Sequence, residues 1–322
     1  MRPLAHSIAT AATSVAALVG VACDSTPRGR DASAGSQRVA EVAVRFEVAG
    51  DGAPSVSMLA YQAAVSGAGT DDILSVVDPL TAPAPEGFCS FRDVAGAARA
   101  LGAAGGKVEL EALPGWRLDL GDGRALNAAA RVFPDIASVV GGVVAELGPV
   151  DLRAASRGLG GIGLVNDGET AGLPGESLPA PAWPSGLALM EASGARFGLN
   201  PPRPVQLIGP QGTVLPANST ISVSSAGTAN GELVFGLGAA ESVGPPAFLE
   251  LRPFGATWAL ACPAVGRDRV VIPAVEVARL TGLKVPVSVE AVSRESRGLV
   301  LGGAPVRLTV EVRASSVVEL RP

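Results

Sequence analysis

Histidine occurs once in the chain, as His6, and lysine twice, as Lys107 and Lys284. With the only imidazole confined to the first few residues, the commonest general base, the commonest metal ligand and the usual catalytic triads have nothing to be built from. Carboxylate chemistry survives that loss. Glu109 with Glu111, or Asp119 with Asp122, could serve as an acid and base pair. Glycosidases usually line their clefts with aromatic rings, however, and 8 Phe, 3 Trp and 1 Tyr leave little for such a platform. A Ser/Lys dyad would need a serine three residues before a lysine, and neither Lys107 nor Lys284 has one. No catalytic residue is assigned on these grounds, and no cofactor is expected.

Two loops imitate ligand motifs. Gly158, Gly160 and Gly163 reproduce the dinucleotide fingerprint G-x-G-x-x-G, which works only where a helix begins and its amino terminus faces the pyrophosphate. Asn166, Asp167, Gly168, Gly172 and Pro174 follow at once, so a glycine-rich loop is expected instead. Asp119-Leu120-Gly121-Asp122-Gly123 has the alternate carboxylates of a calcium loop, but Ala130 stands where the chelating Glu would be, and a hairpin turn on Asp122-Gly123 explains the same letters. No metal site is assigned. The acidic runs at Asp71-Asp72 and Asp167 to Glu169 read as solvated loop tips.

The amino terminus fixes the compartment. Arg2 and His6 precede an apolar run from Ile8 to Ala22, which reads as a secretory signal and falls short of the roughly 20 apolar residues of a spanning helix. Cys23 follows the small residue Ala22, where it resembles the lipobox of bacterial lipoproteins, whose signal is cut before a lipid-modified cysteine; that family usually has Leu where this chain has Gly20. The resemblance implies lipidation at Cys23, the alternative being ordinary cleavage nearby. Residues 24–38 hold Asp, Ser, Thr, Pro, Arg, Gly and Ala without a bulky apolar group, so they read as a flexible tether. Export permits disulfides, and Cys89 and Cys262 remain as an even pair, either bonded or two buried thiols.

The remainder has to build a body. Hydrophobic residues make up 48% of the 322-residue chain and charged ones 17%, enough for a sizeable core. The net charge of -5 and the lack of a Lys/Arg cluster argue against nucleic acid as a partner. The 41 Gly and 26 Pro interrupt the chain too often for long helices. Val42, Val44, Phe46 and Val48 alternate with polar residues as in a half-buried strand, and Val56 to Val65 reads as its return. Val94 to Leu101 is the best helix of the first half, with Asp93 as its N-cap and Gly102 at its close. The apolar run from Ile136 to Leu147 carries no diagnostic period, and its Gly141-Gly142 pair favours strand. After the proline cluster at residues 201–204 come nine short strand candidates, with one or two helical turns over Pro273 to Leu280.

The expected fold is therefore mostly β: residues 39–200 as an amino-terminal β domain and 201–322 as an antiparallel sandwich, behind a signal at 1–22 and a tether at 23–38. Cys262, Gly266 and the Ile272-Pro273 pair give the carboxyl half a spacing that resembles the sandwich modules of uncharacterised lipoproteins from high-GC Gram-negative bacteria. That resemblance implies an immunoglobulin- or fibronectin-like module and carries no site residues with it. The function expected is a cell-envelope protein, held to a membrane through its lipid, that binds an envelope or extracellular ligand or serves a structural role. The rivals are a carboxylate-dependent hydrolase of an envelope polymer and a calcium-dependent adhesion module.

Overall fold

The computed structural model describes residues 37–48, 54–66, 85, 87–121, 123–152, 186–201, 206–215, 220–224, 229–238, 247–265, 268–301 and 304–321. The fold is mostly β. Its main element is an eleven-stranded sheet. Its strands run in the spatial order β3 (Ser90–Asp93), β15 (Trp258–Pro263), β14 (Ala247–Pro253), β17 (Val287–Leu301), β18 (Ala304–Arg321), β1 (Gln37–Val48), β2 (Pro54–Ser66), β4 (Lys107–Ala112), β8 (Val140–Asp151) and β7 (Ala129–Ile136). The eleventh strand, β12 (Thr220–Ser224), joins β18 beyond the end of β1. Strands from both sides of residue 200 thus share one sheet, and β1 lies parallel to β18 from Ala40 against Val306 to Val48 against Ala314.

Alternation along the strands decides what covers each face. On β18, Val306, Leu308, Val310, Val312, Val318 and Leu320 fall on one face, and two smaller sheets pack there. The first consists of β5 (Arg117–Asp119), β6 (Ala125–Asn127), β9 (Ala188–Met190) and β10 (Arg196–Gly198). Leu118 and Leu189 from this sheet, with neighbouring Trp116, share a core with Val42, Val44, Phe46 and Met58 of the large one. The second consists of β11 (Gln206–Ile208), β13 (Leu233–Gly238) and β16 (Arg269–Ile272). Its Phe235, Leu237, Val270 and Ile272 meet Leu249, Leu251, Leu260, Cys262 and Val289, a sandwich arrangement for the carboxyl half.

The opposite face of the large sheet is covered differently. Helix α1 (Val94–Ala103) leaves edge strand β3 and buries Ala98 and Leu101 against Tyr61, Ala63, Val108 and Val140 of β2, β4 and β8. Its amino terminus is capped by Asp93, whose Oδ1 accepts the Gly96 amide at 2.9 Å. Helix α2 (Ala274–Gly282) lies on the first face instead: it begins just after Pro273 and buries Val277 and Leu280 in the carboxyl-half core with Leu249, Val289 and Val318.

The expected strand pair β1–β2, the capped helix and the short helix after Pro273 stand where the pattern put them. Two details differ. Two of the nine short strand candidates that the alternation gives after the proline cluster, Val306 to Val312 and Val317 to Leu320, are a single 18-residue strand. The run from Ile136 to Leu147 is the end of β7, a turn with positive φ at Ala137 and Ser138, and then β8. Gly142 makes that turn's return workable. Its φ is +136°, and a Cβ there would lie 2.1 Å from the Leu110 carbonyl oxygen, where β8 runs parallel to β4. Gly142→Ala should therefore lower stability by about 2 kcal/mol or more, read as a shift in the urea midpoint with unchanged slope.

Candidate functional site

The second face of β18 carries Arg307, Thr309, Glu311 and Arg313, and the first of these is half-buried while the others are buried. Neighbouring strands answer with side chains of opposite sign, because the pleat aligns Arg45 of β1 with Glu311 on one side and Arg294 of β17 with Glu311 on the other. Glu311 accepts from Arg294 Nε at 2.9 Å and Nη2 at 2.6 Å, from Arg45 Nε at 3.2 Å, and from Arg313 Nε. Arg313 also donates to Glu290 and reaches within 3.9 Å of Glu250. Glu250 faces Glu290 directly across β14 and β17. That like-charge pair stands because Arg252 and Arg92 reach Glu250 at 2.7 Å and 3.2 Å while Arg313 bridges the two carboxylates. Further along, Glu41 is fully buried and accepts from Arg307 at 2.8 Å, Thr309 at 3.0 Å and Tyr61 at 3.4 Å.

Six arginines and four glutamates thus occupy one face, with Phe248 set between two of the cations: the guanidinium carbons of Arg92 and Arg294 lie 5.0 Å and 5.1 Å from its ring centre. Arginine suits this use, since its planar fork serves two carboxylates at once and it stays charged when buried. Burial works against the ionised Glu311 carboxylate, but Arg313, Arg294 and Arg45 outweigh it and hold the carboxyl at about 2. Glu250 is lowered in the same way, with burial overcome by Arg313, the Arg252 hydrogen bond and Arg92. Burial likewise opposes the Arg313 charge, and Glu311, Glu290 and Glu250 raise it regardless. Arg92 is the exception, lowered because burial exceeds the help from Glu250. The arrangement stabilises fixed charge; it does not poise a proton for transfer near neutrality.

The carboxylates chosen from sequence are elsewhere. Glu109 and Glu111 sit on the exposed face of β4, Glu109 within 3.0 Å of Lys107 Nζ. Asp119 ends β5, accepts the Gly121 amide at 2.9 Å and pairs with Arg196 at 3.1 Å, and β5 pairs antiparallel with β6. Asp122, the Gly158 to Gly163 loop, the acidic runs at 71–72 and 167–169, and Cys23 lie outside the described residues. Among the described residues no group of three His, Cys, Asp or Glu side chains is placed to hold a metal ion. Trp116 and Trp258 both pack in cores, Trp258 edge-on to Phe91 at 5.2 Å. Cys89 and Cys262 are joined in a disulfide with their Cα atoms 4.0 Å apart, which fastens β3 to β15 at the sheet edge.

Sequence reasoning missed the ionic face. Its signal was present: Arg307, Thr309, Glu311 and Arg313 alternate with valines and a leucine, and Glu290 and Arg294 occupy matching positions on β17. Such alternation ordinarily means a solvated face, and nothing local in the sequence says that this one is covered. Comparison of the chain with family models, with curated proteins and with solved structures found no match.

Two measurements test these contacts. Because the Glu311 carboxyl falls from 4.5 to about 2 on folding, it stabilises the fold by about 3 kcal/mol at neutral pH. That contribution is complete above the unfolded value and is lost as pH falls towards 2, with Glu250 acting in the same direction. Urea midpoints should hold steady from pH 7 to 5 and then drop steeply. Glu311→Gln should flatten that drop and cost about 3 to 5 kcal/mol at pH 7, because three guanidiniums lose their shared charge. Reduction of the 173-residue disulfide loop should lower stability by up to about 5 kcal/mol. Titration of the denatured, unreduced mature protein should find no free thiol at Cys89 or Cys262.

Proposed function

We propose that the protein is an exported cell-envelope lipoprotein, its mature chain starting at a lipid-modified Cys23, and that its body is a binding or structural module and not an enzyme. In this reading the carboxyl half is an immunoglobulin- or fibronectin-like module, the body stands in the periplasm or at the cell surface, and the partner is an envelope or extracellular ligand. The observation that carries the reading is the Cys89–Cys262 disulfide. It belongs to an oxidising compartment, and of the chain's three cysteines it leaves Cys23 alone, the one that follows Ala22 at the end of the apolar run.

The buried face supports the second part of the proposal. Glu311 and Glu250 are held ionised far below neutrality, so neither can serve as a general acid there, and their guanidinium partners are committed to them. A lipoprotein cysteine carries more than one acyl chain, which anchors stably where a single chain binds only marginally. Cys23→Ser should therefore either block processing of the precursor or release a soluble form. In a detergent phase separation the wild-type protein should enter the detergent phase, with added lipid in its intact mass. Partition into the aqueous phase with an unmodified mass would refute the anchor.

A further inference from the structure

We infer that the end of the body nearest the tether is a membrane-contact surface, where exposed Val300 and the arginines beside it rest on a phospholipid bilayer bearing anionic headgroups. The inference rests on the anchor at Cys23 proposed above and adds which surface of the body faces the membrane.

Strand direction places the tether. Because β1 runs parallel to β18, with Ala40 against Val306, the start of β1 at Gln37 and the start of β18 at Ala304 lie at the same end of the sheet. Strand β17 ends there too, since Leu301 faces Ala304. Thirteen residues lie between Cys23 and Gln37. A polar chain of that length spans about 20 Å on average and about 50 Å when fully extended. An anchor at Cys23 therefore keeps this end within tether reach of the bilayer.

The chemistry of this end suits the position. Val300 is 75% exposed, and Ala304 and Pro305 are exposed beside it. From Ser296 to Arg307 the sequence contains no Asp or Glu but two arginines, Arg297 and Arg307. Arg38 stands two residues before Ala40 on β1, and both Arg38 and Arg297 are exposed. The pleat puts Arg38 and Arg297 on the same face of the sheet, so two exposed cations stand beside the apolar tip there, while Arg307 on the other face is paired with Glu41. A pocket of about 340 Å³ opens here beside Arg38, Ser296, Gly298, Pro305 and Arg307, and no carboxylate lines it. Exposed carboxylates occur towards both ends of the sheet, Glu111, Glu295 and Glu109 with its partner Lys107 on this side and Glu47 and Asp151 at the other, but none falls between Ser296 and Arg307. An apolar tip with two exposed guanidiniums beside it matches the headgroup boundary, where the stems sit in apolar surroundings and the charges meet phosphate. Each arginine near an anionic surface raises partition by roughly fivefold, and the anchor turns a weak contact into an intramolecular one.

The test uses the full mature chain, coupled through the Cys23 thiol to a maleimide phospholipid in vesicles with brominated acyl chains, so it does not depend on lipidation in the cell. Tryptophan replaces Val300 in one variant and Phe254 in another; Phe254 is 52% exposed and follows Pro253, which faces Val287 at the far end of β17. Bromine should quench the Val300→Trp emission, more strongly in phosphatidylcholine vesicles containing phosphatidylglycerol than in phosphatidylcholine alone, and leave Phe254→Trp unchanged. Adding Arg38→Ala and Arg297→Ala should weaken the contact roughly twenty-fivefold on the anionic vesicles. Equal quenching at the two tryptophans, or quenching indifferent to the arginines and to phosphatidylglycerol, overturns the inference. A wild-type mass without lipid would instead refute the anchor itself and leave this result standing.

Discussion

Strand β18 is covered on both faces and paired along both edges, and most of the structure follows from satisfying it. Its 18 residues run beside β17 on one edge and beside β1 and then β12 on the other. One set of alternate residues is apolar and requires an apolar partner layer; the two small sheets supply it in succession along the strand. The other set includes Glu311 and Arg313, and removing such groups from water costs several kcal/mol per ion unless each is paired. No single neighbour could do this. Arg45, Arg294, Glu290 and Glu250 come from three further strands, and Arg92 from the sheet edge, so the ionic face ties together strands distant in sequence.

The stretch from Cys89 to Leu101 shows how closely local and distant requirements are fitted. Cys89 fastens the chain to β15, and two residues later Phe91 takes an edge-on contact with Trp258. Arg92 turns to the other face and supplies Glu250, while Asp93 ends the strand and caps α1. Ala98 and Leu101 then bury against Tyr61, whose hydroxyl donates to Glu41. Thirteen residues thereby connect the sheet edge, the ionic face and the core beneath the helix. Conformational entropy would oppose ordering so short a polar strand at an edge on its own, and the disulfide offsets part of that cost.

What was legible in the sequence was what depends on near neighbours. Alternation at Val42, Val44 and Phe46, the Asp93 cap, and Pro273 at a helix start all act within a few residues, and each element lies where those residues indicate. The sheet order was not legible, because nothing in β1 announces that its partner lies some 260 residues later. The proline cluster after Asn200 reads as a boundary from composition, yet β1 and β2 continue the sheet formed by β14, β17 and β18. The ionic face was hidden for a related reason. Periodicity reports that two faces differ and does not report whether the polar one meets water or arginine.

The ionic face also resolves an ambiguity that the apolar face leaves open. Sliding β1 by two residues along β18 would keep Val42, Val44 and Phe46 on the core side, so hydrophobic burial alone discriminates poorly between such registers. Charge discriminates strongly. In the observed register Glu41 lies opposite Arg307 and Arg45 opposite Glu311. A slip in one direction sets Arg45 against buried Arg313, and in the other it sets Glu47 against buried Glu311, each a like-charge pair. On β17, Arg294 faces Glu311, and a slip of two would bring it opposite either Arg313, a like charge, or Thr309, which carries no charge to pair with it. Replacing the whole network with apolar side chains could preserve stability, as buried ion pairs are often no better than good packing. It would leave the parallel β1–β18 pairing, on which the sheet's continuity depends, without its means of choosing one alignment.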